Sequence, residues 1–171
     1  MWLTFDSSIK KFANLTNTLI LLVVVFIFSF VIFPQFSPKA PDVNPLDLQY
    51  FYSAEEAYHT LDQLQEAERK QYFITECTLD LIYPIIYTTM LCFAILLLFK
   101  NQTLARLPLI ITLFDYLENT GIMILLKKYP QRVEVLANIT GFLSGMKWLF
   151  VLLVSVIVLI GLIKAIQKLI F

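Results

Sequence analysis

This sequence predicts an all-α membrane protein: a four-helix transmembrane bundle with one extracytoplasmic amphipathic helix between its first and second spans. Three observations predict it. Hydrophobic residues make up 58% of the 171-residue chain and mean hydropathy is +0.74, more apolar surface than a soluble domain of this length uses. The excess is gathered into four apolar runs, each near the ~20 residues that cross a bilayer core. Between the first two runs lies the one sizeable polar stretch, and it opens with a helix-start signature. Residues 1–171 are read as a single transmembrane domain.

Residues 1–16 form a short lead in which Trp2, Phe5, Ile9 and Phe12 recur at roughly helical spacing, as in a helix lying on a membrane surface. The first span is expected over about 17–33. The run has no small-x-small cleavage pattern after it, so it reads as a retained helix and not as a signal peptide. Pro34, Pro38, Pro41 and Pro45 follow. Proline removes backbone donors and blocks helix, so an extended connector is expected there. Ser53-Ala-Glu-Glu56 is a capping box. The helix it starts carries Ala57, Tyr58, Leu61 and Leu64 on one stripe, which should lie on the bilayer interface or on the tops of the other helices. A further helix starts near Glu66 and becomes the second span, about 74–100. Pro84 inside it should free the carbonyl of Asp80. Residues 101–106 read as a tight turn, the third span as about 107–126, and the fourth as about 132–166, which is longer than a bilayer requires.

Charge sets partners and orientation. Thirteen Lys and Arg balance thirteen Asp and Glu, so no basic patch points to nucleic acid. Residues 34–77 hold eight acidic and three basic residues, and segment 34–73 is the expected surface for a protein partner. Basic residues near the span ends divide evenly, and the Lys10-Lys11 pair before the first span favours cytoplasmic N- and C-termini. Cys77 and Cys92 lie 15 residues apart on one expected helix, about 22 Å and beyond disulfide reach. No metal site or cofactor is expected. Gly141-x-x-x-Gly145 permits close helix approach, either inside the bundle or in a homo-oligomer. His59 is expected in solvent, and Trp2, Tyr72 and Tyr129 at the interfaces. Three Asn-x-Thr sequons, at Asn14, Asn101 and Asn138, fall at cytoplasmic or intramembrane positions and are discounted as glycosylation sites.

The candidate site rests on ionisable residues inside the spans, which are costly there and point to function. Asp115, Glu118 and Asn119 share one face of the third span by i, i+3, i+4 spacing. Thr140, Ser144 and Lys147 share a stripe of the fourth. Counting from the turn between these helices places Asp115 and Lys147 at similar depth, so an Asp115–Lys147 pair is expected, shared with Glu118. Glu76, Asp80, Tyr83 and Tyr87 line the second span, with Asp80 near the outer end. Three carboxylates about one lysine cannot all remain ionised in a dry cluster unless water or a cation enters. The cluster is either a network that fixes helix packing or a polar cavity.

Tyr52–Tyr87, with Ser53-Ala-Glu-Glu-Ala-Tyr58, Arg69-x-x-Tyr72 and Asp80-Leu-Ile-Tyr-Pro84-Ile-Ile-Tyr87, together with Phe114-Asp-Tyr-Leu-Glu-Asn119 and Lys147-Trp148, resembles a widespread group of small four-helix membrane proteins. The resemblance implies fold and topology and no activity. The expected function is a non-enzymatic binding or scaffold component that recognises a partner or small ligand. The alternative is a membrane-embedded enzyme or a proton- or cation-coupled transporter that uses the carboxylate–lysine cluster.

Overall fold

A computed structural model describes residues 9–36, 38 and 43–170. Trp2 and Phe5 of the lead lie outside the described residues, as does part of the proline connector. The described chain is all helical, without strands, and four helices are long and apolar enough to cross a membrane: Leu15–Phe36, Glu66–Phe99, Gln102–Lys128 and Glu134–Ile170.

Helix α1, Leu15–Phe36, starts on the Asn14 side chain, which accepts from Asn17 N at 2.8 Å. It runs three residues past the expected end and takes Pro34 into its last turn. It does so through a π turn at Phe28–Ile32, in which Phe33 N–H bonds to Phe28 O. Pro34 has no N–H to give and its ring crowds the preceding carbonyl; a widened turn relieves both. No residue of Leu15–Ile27 is buried, so α1 leans on the bundle from outside. It packs chiefly through Phe28 and Phe33 on Tyr83, with the Ser29 hydroxyl 2.8 Å from the Tyr83 hydroxyl.

Helix α2, Ala54–Gln63, has the capping box: Glu56 N bonds to Ser53 Oγ at 3.3 Å and Ser53 N to Glu56 Oε2 at 2.7 Å. Ala57, Tyr58, Leu61 and Leu64 are all buried, against Ile122, Leu125, Leu126 and Ala137. Of the two surfaces open to that stripe, the tops of the other helices take it. Arg69 donates to the Leu61 and Leu64 carbonyls at the end of α2, the acceptors that every helix C-terminus leaves open.

Helix α3, Glu66–Phe99, contains Pro84 and ends on Lys100 in the left-handed conformation, φ 55°. The expected turn at 101–106 is instead a four-residue helix, α4, Gln102–Ala105, capped by the Asn101 side chain on Leu104 N at 3.1 Å. Helix α5 is Leu109–Lys128 and α6 is Glu134–Ile170. Helices α3, α5 and α6 form the core. Where α5 crosses α6, a Cβ on Gly121 would collide with the Thr140 side chain. At the far end Ile95, Ala105, Ile111 and Val154 make an aliphatic cluster.

Candidate functional site: a buried carboxylate cluster closed by an inserted loop

Asp115, Glu118 and Asn119 all point into the bundle from α5, and Lys147 meets them from α6. Lys147 Nζ lies 2.6 Å from Glu118 Oε2 and 3.9 Å from Asp115 Oδ1. The expected Asp115–Lys147 pair shared with Glu118 is present, and Glu118 is the nearer of the two partners. Glu118 is also 0% exposed and Asp115 7%. Asp115 instead accepts the Tyr87 hydroxyl on Oδ2 at 2.6 Å. The Asp80 carbonyl, released by Pro84, accepts Asn119 Nδ2 at 3.0 Å. The Asp80 side chain is buried, and the charges acting on it are those of Asp47, Asp115, Lys147 and Glu118. Tyr83 sits at the edge of the cluster: its ring meets that of Tyr87 at 5.1 Å, and its hydroxyl lies 2.8 Å from that of Ser29 on α1.

The part that sequence reasoning missed is the loop. Residues 43–53 do not stay outside the helices but run along α6 into the cluster. Lys147 Nζ donates to the Asp47 carbonyl at 2.8 Å, and Ser144 Oγ to the Gln49 carbonyl at 2.6 Å. Gly141 meets the Tyr52 backbone and Gly145 the Phe51 ring, and a Cβ at either would collide. Ala54 N then bonds to Asn138 Oδ1 at 2.8 Å. From Asn138 to Lys147 the loop follows α6 for about 14 Å at 1.5 Å per residue. The Gly-x-x-x-Gly pair thus receives the chain's own loop, the first of the two contacts expected of it. The three sequon asparagines all accept a backbone amide: Asn14, Asn101 and Asn138.

Two further acids join through this loop. Tyr72, expected at an interface, is buried and donates to Asp47 Oδ1 at 2.6 Å. Glu76, one turn further along α3, is 0% exposed, and neither of its oxygens has a hydrogen-bond partner. The Tyr52 hydroxyl is buried and unpartnered as well. Burial pushes its ionisation upward, and the charges of Glu118, Asp47 and Glu76 push it the same way, so it stays a neutral donor. Beyond the loop, a groove of about 360 Å³ is lined by Gln49, Glu55, Glu56, His59 and Thr60. Its floor is Gln49, whose amide bonds Thr60 Oγ1 at 3.0 Å while its carbonyl holds Ser144. His59 is exposed here.

Two signals for the loop were present. Leu46 and Leu48 alternate with Asp47 and Gln49 before the aromatic run Tyr50-Phe51-Tyr52, and Ser144 and Lys147 on an apolar helix need acceptors that α5 alone does not supply. Among the described residues, no group of three or more His, Cys, Asp or Glu is spaced to hold a metal ion. Cys77 and Cys92 are free thiols. No family model, curated protein or solved structure matches this chain, so the site is read from its own chemistry.

Proposed function

We propose that this is a multi-pass integral membrane protein that couples to protons or small cations through the buried carboxylate cluster, with residues 43–53 as a re-entrant loop over it. The four long apolar helices support the membrane setting. The Lys10-Lys11 pair before α1 favours cytoplasmic N- and C-termini, which puts α2 and the groove outside. Irregular backbone at membrane depth is tolerated where it is buried in protein or lines a cavity, and the loop carbonyls here are held by Lys147 and Ser144.

The observation that carries the reading is an imbalance. Asp47, Glu76, Asp80, Asp115 and Glu118, all buried or half-buried, surround a single lysine. A network that only fixed packing would be neutral by pairing, since each uncompensated buried charge costs several kcal/mol. The surplus carboxylates need protons or cations. Much of the expected partner surface in segment 34–73 is meanwhile engaged in packing, with Leu46, Ala57, Tyr58 and Leu61 buried. That shifts the reading from the scaffold to the coupled site.

The test is flux in reconstituted vesicles containing a pH-sensitive dye, driven by an imposed proton or sodium gradient. Vesicles with the protein should dissipate one of these gradients faster than empty vesicles, and Glu118→Gln should abolish the difference. Equal rates with and without protein under both gradients would overturn the proposal.

A further inference from the structure

Among the described residues, Glu76 is a fully enclosed carboxylate of the cluster with neither a hydrogen-bond nor an ion-pair partner; Asp80, the other carboxylate without an ion-pair partner, is 9% exposed. Asp115 has Tyr87 and shares Lys147, Glu118 has Lys147, and the Asp47 side chain has Tyr72. Glu76 is fully enclosed, and both oxygens are without a partner. The groups acting on it come from every element around it: Asp47 from the loop, Asp80 on its own helix, Glu118 from α5 and Lys147 from α6. Tyr52 on the loop and Tyr72 on α3 also feel its charge. Three of the four charged groups are acids, so Lys147 does not neutralise the neighbourhood. A second buried polar group of the cluster is without a partner among the described residues. The Tyr52 hydroxyl is buried, lacks a partner, and lies in the field of Glu76 and Glu118.

We propose that Glu76 is a proton-binding site, separate from the Lys147 ion pairs and covered by the re-entrant loop. The inference rests on the coupled-site reading above and names its ligand and residue. Uptake forms one O–H bond on a Glu76 oxygen; the proton is taken from water, and the carboxylate becomes a neutral acid. The product no longer repels Asp47, Asp80 and Glu118. A proton fits better than a directly ligated metal, because these carboxylates are not spaced to share one.

Infrared difference spectroscopy of the purified full-length protein, between mildly acidic and mildly alkaline buffer, tests this without any transport measurement. The wild type should have a carboxylic-acid C=O band that fades as the buffer becomes alkaline. Glu76→Gln should remove one acid's share of that band while the amide band, which reports the fold, stays unchanged. Tyr52→Phe should keep the band but move its frequency, since a buried hydroxyl in the same cluster is lost. Should Glu76→Gln fail to fold, Glu76→Asp still moves the band. A full band in folded Glu76→Gln, or a band that neither Tyr52→Phe nor Glu76→Asp moves, would overturn the proposal. So would a band that sodium chloride removes at constant pH, because a metal cation would then occupy the site. A Glu76 band without flux in vesicles would leave this site standing and overturn the coupled function; flux with no Glu76 band would do the reverse.

Discussion

The two ends of the bundle are held together by different physics. At the end away from α2, helices α3 to α6 meet through Ile95, Ala105, Ile111 and Val154, a contact any well-shaped aliphatic surface could make. Toward the other end α3, α5 and α6 also meet through an ammonium group, carboxylates, hydroxyls and two loop carbonyls, beside the apolar stripe of α2 packed on Ile122, Leu125, Leu126 and Ala137. In lipid, apolar packing between helices has little hydrophobic drive, because the tails are as apolar as leucine. Polar contacts have definite partners, so they set register where van der Waals contact cannot. The polar end is thus where a change of protonation can be felt, and the aliphatic end is the frame against which it moves.

Lys147→Met strikes that difference hardest. It leaves Glu118 and Asp115 buried without their counter-charge and should cost roughly 3–5 kcal/mol, the cost of breaking a buried pair from one side. Adding Glu118→Gln should recover a large part of the loss, because the nearer stranded charge is then gone. Thermal stability in detergent of the two single variants and the double variant measures this; strictly additive losses would mean the two residues do not pair. Asp115→Asn should be the milder single change, since Tyr87 can still donate to its side chain.

Gly141→Leu should come next. Its side chain has no space against the Tyr52 backbone, so the loop must lift or α6 must shift, at about 1–3 kcal/mol. Limited proteolysis should then cut within residues 43–53. Ile111→Val at the aliphatic end is the control. It should cost about 1 kcal/mol and leave the loop protected. Equal loop cleavage in both variants would erase the distinction between the ends.

The smallest effects belong to α2. Ser53→Ala removes an N-cap and should cost roughly 1 kcal/mol. Glu56 gives this a pH signature. The Ser53 backbone N–H, and then its hydroxyl, hold the Glu56 carboxyl below its usual range. Its folded value lies below the unfolded one, so the contribution is present at neutral pH and lost as pH falls through the folded value. The stability gap between wild type and Glu56→Gln should therefore close in acid. A gap that widens in acid would mean the carboxylate does not serve as the cap acceptor.

How much of this was legible in the sequence follows from what periodicity can resolve. Helical spacing fixes a face, so Asp115, Glu118 and Asn119 were legible as one inward surface, and Pro84 marked the Asp80 carbonyl that Asn119 now uses. Spacing resolves depth only to about one turn, 5.4 Å, which is the difference between Asp115 and Glu118 as partner to Lys147. The loop was hidden for another reason. Its prolines and acids describe a segment that is not helical, and that description fits a chain in water as well as one threaded among helices. Tyr72 was misplaced with it, since an interfacial position suits it only while Asp47 is outside. Pro34 was read as a stop because the π turn that accommodates it leaves no mark in the sequence.

The most direct measurement is the depth of the loop. Leu48 lies between Asp47 and Gln49 and its side chain is exposed, so a spin label there can report its surroundings without entering the core. With the protein in lipid vesicles, the label should collide mainly with dissolved oxygen and little with a water-soluble nickel chelate, whereas a label at Glu55 should show the opposite. A Leu48 label as open to the chelate as one at Glu55 would place residues 43–53 in water and contradict the inserted loop on which the site depends.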